Sequence, residues 1–93
     1  MDEEKVQKVK ELLTKHFPGC PIRSEELENY AASFHVQCKD ENRIFWIKRK
    51  DLDDCPSDGL AGLLDRHIII KRLQAKPWRR VSLAYGVVEE ADI

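Results

Sequence analysis

The sequence predicts an α+β domain: an N-terminal helix, a three-stranded antiparallel meander, a second helix, and one or two closing strands (α-β-β-β-α-β(β)). Three observations carry this expectation. Apolar residues recur at helical spacing near the N-terminus, they alternate with polar ones from Tyr30 to Cys38, and they run unbroken through Ile44-Phe45-Trp46-Ile47 before three consecutive cations, Lys48-Arg49-Lys50. At 93 residues the chain fits one small domain, residues 1–93, with one modest core.

The first helix is expected from Asp2 to about His16. Val6, Val9, Leu13 and Phe17 fall three or four residues apart, with Leu12 and His16 widening the stripe. Asp2, Glu3 and Glu4 place negative charge at the positive end of the helix dipole. Glu4–Lys8 and Glu11–Lys15 are i,i+4 pairs in the favourable order, and Pro18-Gly19 stops the helix.

Cys20 to Asn29 reads as a short edge strand, anchored by Ile22 and Leu27 and kept from wrong pairing by its charges. Tyr30, Ala32, Phe34, Val36 and Cys38 alternate with Ala31, Ser33, His35 and Gln37, the period of a half-buried strand. After a polar turn at Lys39–Asn42, Arg43 to about Lys50 is expected as the central strand. Its continuous apolar run suggests burial on both faces.

Asp51 to Asp58 reads as a loop, and Pro56 suits the first position of a second helix carrying Leu60, Leu63 and Leu64. Gly59 and Gly62 weaken that helix, or allow a close approach to the sheet. The β-branched run Ile68-Ile69-Ile70 favours a break near Arg66–His67 and a strand after it, although Leu73 and Ala75 also tolerate a helix. Lys76-Pro77-Trp78 is then a turn. Arg79 to Val88 is the closing strand, with Val81, Leu83, Tyr85 and Val87 on one face, and Glu89 to Ile93 is a frayed tail.

The composition is 42% hydrophobic and 35% charged, which excludes wholesale disorder. The net charge of −1 conceals segregation: residues 43–80 hold ten of the sixteen Lys and Arg, and acids dominate on either side. No apolar run approaches the ~20 residues needed to span a bilayer, so no membrane role is expected. The N-terminus lacks a secretory pattern and the cysteines number three, which together suggest free thiols in the cytoplasm.

Candidate chemistry is sparse. His16, Cys20, His35 and Cys38 have a spacing that superficially suits zinc, but His35 and Cys38 face opposite sides of a regular strand, so no metal or other cofactor is expected. Cys55 sits among Asp51, Asp53, Asp54 and Asp58, whose charge opposes a thiolate. The same acidic loop lacks the ligand frame and central glycine of a calcium loop. With no converging catalytic set, the chain is expected to be a non-enzymatic binding module.

The candidate binding residues are Lys48, Arg49, Lys50, Lys71, Arg72, Lys76, Trp78, Arg79 and Arg80. An indole flanked by arginines matches the residue mix of protein interface hot spots, so a protein partner, or a second copy of the chain, is the first expectation. The alternative is RNA or DNA, with the cations on phosphates and Trp46 or Trp78 stacking on bases. That alternative requires the two basic clusters, Lys48–Lys50 and Lys76–Arg80, to share one face.

Overall fold

The computed structural model describes residues 3–28 and 30–93. Helix α1 spans Glu3–His16, and strands β1 (Ile22–Leu27), β2 (Ala31–Cys38) and β3 (Glu41–Lys48) form the meander. Helices α2 (Arg49–Asp54), α3 (Leu60–Arg66) and α4 (Ile69–Ala75) follow, with a 3-10 turn at Ser57–Gly59, and β4 (Arg79–Ala84) and β5 (Val87–Asp92) close the sheet. The class is α+β, as the sequence predicts. Asp2, placed at the start of the first helix by its charge, lies outside the described residues.

The five strands stand in chain order, β1-β2-β3-β4-β5, so the Arg43 strand is central, as its composition suggests. Every neighbouring pair is antiparallel except β3 and β4, which run parallel because the intervening helices return the chain to the end where β3 began. Parallel pairing needs such a crossover, whereas the antiparallel pairs close through short turns.

One face of the sheet carries the core. Ala32, Phe34 and Val36 of β2, Phe45 and Ile47 of β3, and Val81 and Leu83 of β4 pack against Val9, Leu13 and Phe17 from the N-terminal segment and Leu52, Leu60, Leu64, Ile69 and Leu73 from the later helices. Phe34 and Phe45 are direct cross-strand partners whose rings stack at 6.0 Å. Such a pair adds about 1 kcal/mol beyond the area it buries.

Four expectations are corrected. The Arg43 strand is buried on one face only: Phe45 and Ile47 are inaccessible, whereas Ile44 and Trp46 keep part of their surface in solvent. Unbroken hydrophobicity misled because a partly exposed face retains large apolar side chains. The strand expected to reach Lys50 ends at Lys48, and Arg49 to Asp54 is helical where Asp51 onward is expected as loop, held by the i,i+4 pairs Arg49–Asp53 (3.1 Å) and Lys50–Asp54 (3.3 Å) and by Leu52 buried beneath them.

Ile69 and Ile70 belong to helix α4, not a strand. The expected break falls at Ile68, whose φ of 57° is unusual for a β-branched residue. Tertiary burial of Ile69, Ile70 and Leu73 overrides the β preference of the run. Finally, the closing strand is a hairpin, and residues 89–92 are paired rather than frayed. Tyr85 (φ 52°) and Gly86 (φ 74°) both take left-handed conformations, the requirement of a two-residue type I′ turn. Asp51 fixes it: its carboxylate accepts the Tyr85 N–H at 2.7 Å and the Gly86 N–H at 3.0 Å.

The expectation of free thiols also fails. Cys20, just before β1, and Cys38, at the end of β2, are disulfide-bonded, with Cα atoms 4.8 Å apart. Antiparallel pairing of Ile22 with Val36 brings the two together, and only Cys55 is free.

Candidate interaction face

Side chains alternate across a sheet, so the residues between the core positions form a second face. The ladder registers arrange it in rows. One row runs Arg23, His35, Ile44, Arg80, Ala91 from β1 to β5. The next runs Glu25, Ser33, Trp46, Ser82, Glu89. None of these ten residues belongs to the core, and the helical residues of the core pack on the opposite face.

Trp46 is the centre of this surface. Its ring meets Tyr30 at 6.1 Å with a tilt of 58°, and the two line a shallow depression of about 350 Å³ with Arg80, Ser82, Ala84, Val87 and Glu89. Lys48, at the end of β3, holds its ammonium 5.4 Å from the Tyr30 ring and 5.1 Å from the Tyr85 ring. Cation–π contacts at these distances are worth about 0.5–1 kcal/mol on a surface, and here they order two exposed tyrosines around one charge.

His35 lies beside Ser33, with the hydroxyl 3.2 Å from Nε2, and Glu25 approaches that same nitrogen at 3.9 Å. A nucleophile–base–orienter relay uses both ring nitrogens. Two partners on one nitrogen do not make that arrangement, and the group reads as a polar cluster on the sheet.

The sequence-predicted binding residues divide into three places. Lys48, Arg49 and Lys50 lie at the C-terminal end of β3 and the start of α2. Trp78, Arg79 and Arg80 lie at its N-terminal end, because Arg79 pairs with Arg43 and the Trp78 N–H donates to the Asn42 carbonyl at 2.7 Å. The five-residue step from Arg43 to Lys48 separates the two clusters by about 17 Å along the strand. Lys71 and Arg72 belong to helix α4, and Lys76 is the residue that ends it.

Several of these charges are answered internally. Arg49 and Lys50 pair with Asp53 and Asp54 as described. Arg72 and Arg79 converge on Glu90, at 2.8 and 3.0 Å. The Arg72 hydrogen bond is the main cause that holds the Glu90 carboxyl below the usual carboxylate range; Arg79 adds to it and desolvation offsets part. Arg79 Nε, buried beside this group, has no hydrogen-bond partner among the described residues. Arg80 stands apart, exposed on the Trp46 face.

Sequence reasoning missed this face because it assigned Trp46 to a buried strand. The signal lay in the alternation within residues 44–48: on a strand, Ile44, Trp46 and Lys48 share one side and Phe45 and Ile47 the other, and Lys48 tells which side is wet. It also passed over Arg43, which is buried, donates from Nε to the Leu73 carbonyl at 2.7 Å, and lies 5.5 Å from the Phe17 ring centre.

No family model, no curated protein and no solved structure matches the chain. Among the described residues, no helix is long and apolar enough to cross a membrane.

Proposed function

We propose that the chain is a non-enzymatic protein-interaction module that receives a protein surface on the helix-free face of its sheet. The observation that supports this reading is Trp46: a large aromatic residue, central on the central strand, flanked by Tyr30 and Ile44, and left outside the core. Partly exposed aromatics ringed by arginine and glutamate have the composition of an interface hot spot with its polar rim. The small residues Ser82 and Ala84 on β4 leave space beside the indole for side chains of a partner.

Nucleic-acid binding, the alternative drawn from the sequence, has weaker support. The two basic clusters lie at opposite ends of β3, and Arg49, Lys50, Arg72 and Arg79 already face carboxylates. Cytoplasmic placement gains nothing from the fold. The Cys20–Cys38 bond is of the kind that a cytosolic glutathione pool keeps open.

The test is a pair of neighbouring substitutions with a titration. Trp46→Ser is expected to cost about 1.5–2.5 kcal/mol of folding stability, because most of the indole packs on Tyr30 and the sheet while part of it stays in solvent. Phe45→Ser, one residue away and fully buried, is expected to cost more than about 3 kcal/mol or prevent folding. A labelled 20-mer RNA and DNA, each titrated at two salt concentrations, should show no tight complex. A Trp46→Ser loss as large as that of Phe45→Ser, or steeply salt-dependent binding to either nucleic acid, would refute the reading.

A further inference from the structure

We infer that the protein surface received by the Trp46 face is a second copy of this chain, packed sheet to sheet about a twofold axis. This inference rests on the docking-face reading above and names its occupant.

The argument is the self-complementarity of the two central rows. A twofold axis lying between the two sheets, perpendicular to the strands and midway between the rows, sets each row of one copy over the other row of its mate. Arg23 then faces Glu25 of the mate, and Glu25 faces the mate's Arg23, since both belong to β1. Ile44 faces Trp46 across the centre of β3, and the reciprocal pair repeats it. Arg80 of β4 comes over the mate's Ser82, one strand from its Glu89. Cationic and anionic positions alternate between the rows rather than within them, which is the pattern an isologous contact requires.

The ends of the sheet agree. Of the exposed large apolar residues among those described, Tyr30, Tyr85 and Val87 lie at one end of the strands, and Trp78 and Ile93 at the other. The same axis exchanges those ends, so the end bearing Trp78 in one copy lies over the depression lined by Tyr30, Trp46, Ala84 and Val87 in its mate. Face-to-face sheets pack at about 10 Å, a separation that interleaves such side chains.

Size is adequate for a reversible dimer. Five strands at about 4.8 Å and six residues at about 3.3 Å give roughly 480 Å² of projected face per copy. That approaches the ~1,000 Å² total of a small specific interface. Edge-to-edge pairing through β5 is the less favourable route, because Glu89, Glu90 and Asp92 would oppose the same acids in the mate.

The test uses sedimentation equilibrium of the full chain from about 1 to 500 μM, at low and moderate salt, a range that brackets the micromolar affinities of small reversible interfaces. The wild type is expected to dimerise. Arg23→Glu and Glu25→Arg, each alone, set like charges face to face at both symmetric sites and are expected to weaken the dimer about tenfold. An equimolar mixture of the two variants restores both attractive pairs and is expected to recover association. Thermal melts of each variant establish that the fold is retained.

A wild type that remains monomeric at the highest concentration overturns the dimer, as do charge reversals without effect or a mixture that fails to recover. Dye binding then separates this inference from its parent. A monomer that binds 8-anilinonaphthalene-1-sulfonate, and loses that binding with Trp46→Ser, overturns the dimer while leaving the docking face intact. A monomer that binds no dye overturns both.

Discussion

Arg43→Met is the substitution with the most specific expected cost. The guanidinium is withdrawn from solvent, donates to the Leu73 carbonyl at 2.7 Å, and lies 5.5 Å from the centre of the Phe17 ring. Leu73 is in the last turn of α4, and the residue four places on is Pro77, which has no N–H to offer its carbonyl. Arg43 therefore supplies the only donor a buried helix-end carbonyl receives among the described hydrogen bonds, and places a cation where the helix dipole favours one. Methionine retains the apolar stem and removes the donor and the charge. Leaving the carbonyl unpaired costs about 1–3 kcal/mol and losing the contact with Phe17 about 0.5–1 kcal/mol, so the expected loss is about 1.5–4 kcal/mol. Urea denaturation followed by far-ultraviolet circular dichroism measures it, with an unchanged m-value showing that the comparison is like for like. Glu41→Gln is the control. That carboxylate is 3.8 Å from Arg43 and half exposed, so its neutralisation should cost under about 0.5 kcal/mol. An Arg43→Met loss below about 1 kcal/mol, or a Glu41→Gln loss of equal size, would show that Arg43 does not act through the α4 carbonyl.

Three further outcomes follow from other features. Opening the Cys20–Cys38 bond, by reductant or by the paired Cys20→Ser and Cys38→Ser changes, releases a loop of sequence separation 18 and should lower stability by about 3 kcal/mol in urea; identical midpoints with and without reductant would contradict it. Gly62→Ala should raise stability by about 0.5–1 kcal/mol, since Gly62 is inside α3 and an added Cβ meets nothing within 4 Å; a lowered melting temperature would contradict it. Glu90 has a carboxyl pKa lowered in the folded state from 4.5, so its stabilisation is complete above that value and is lost as pH falls through the folded pKa. Glu90→Gln should therefore be less stable than wild type near neutrality and converge with it in acid, and parallel stability curves from pH 7 to pH 3 would refute this.

Much of the fold was legible because its signals are local. The α1 stripe, the Pro18-Gly19 stop, the β2 alternation and the central place of Ile44–Ile47 need only a window of a few residues. What was misread depends on distant partners. Nothing near Tyr85-Gly86 marks a hairpin as Asn-Gly would, and the carboxylate that fixes it lies 34 residues away at Asp51. The isoleucine run carries a β preference that loses to burial of Ile69 and Ile70 under the sheet. Arg43 looked like the flank of a strand because its acceptor, Leu73, is thirty residues distant. The interaction face was hidden for a different reason: hydrophobicity reports which residues avoid water, not which of two faces has been given a cover.

The single parallel ladder, β3 against β4, divides the molecule into two locally wired parts. On one side stand α1 and the β1–β3 meander, closed by short turns and by the Cys20–Cys38 bond. On the other stands the β4–β5 hairpin, closed by Tyr85-Gly86. Joining them requires the mostly helical segment between Lys48 and Arg79 to be ordered, so the loop-closure entropy of the whole fold is concentrated in that seam. The hairpin turn draws on Asp51 from outside the hairpin, so formation of the ladder between Arg43–Ile47 and Arg79–Leu83 is expected to be the slow, committing step of folding. A chain cut in the segment between α2 and α3 would then be expected to reassemble from its two fragments, with the parallel ladder as the joint.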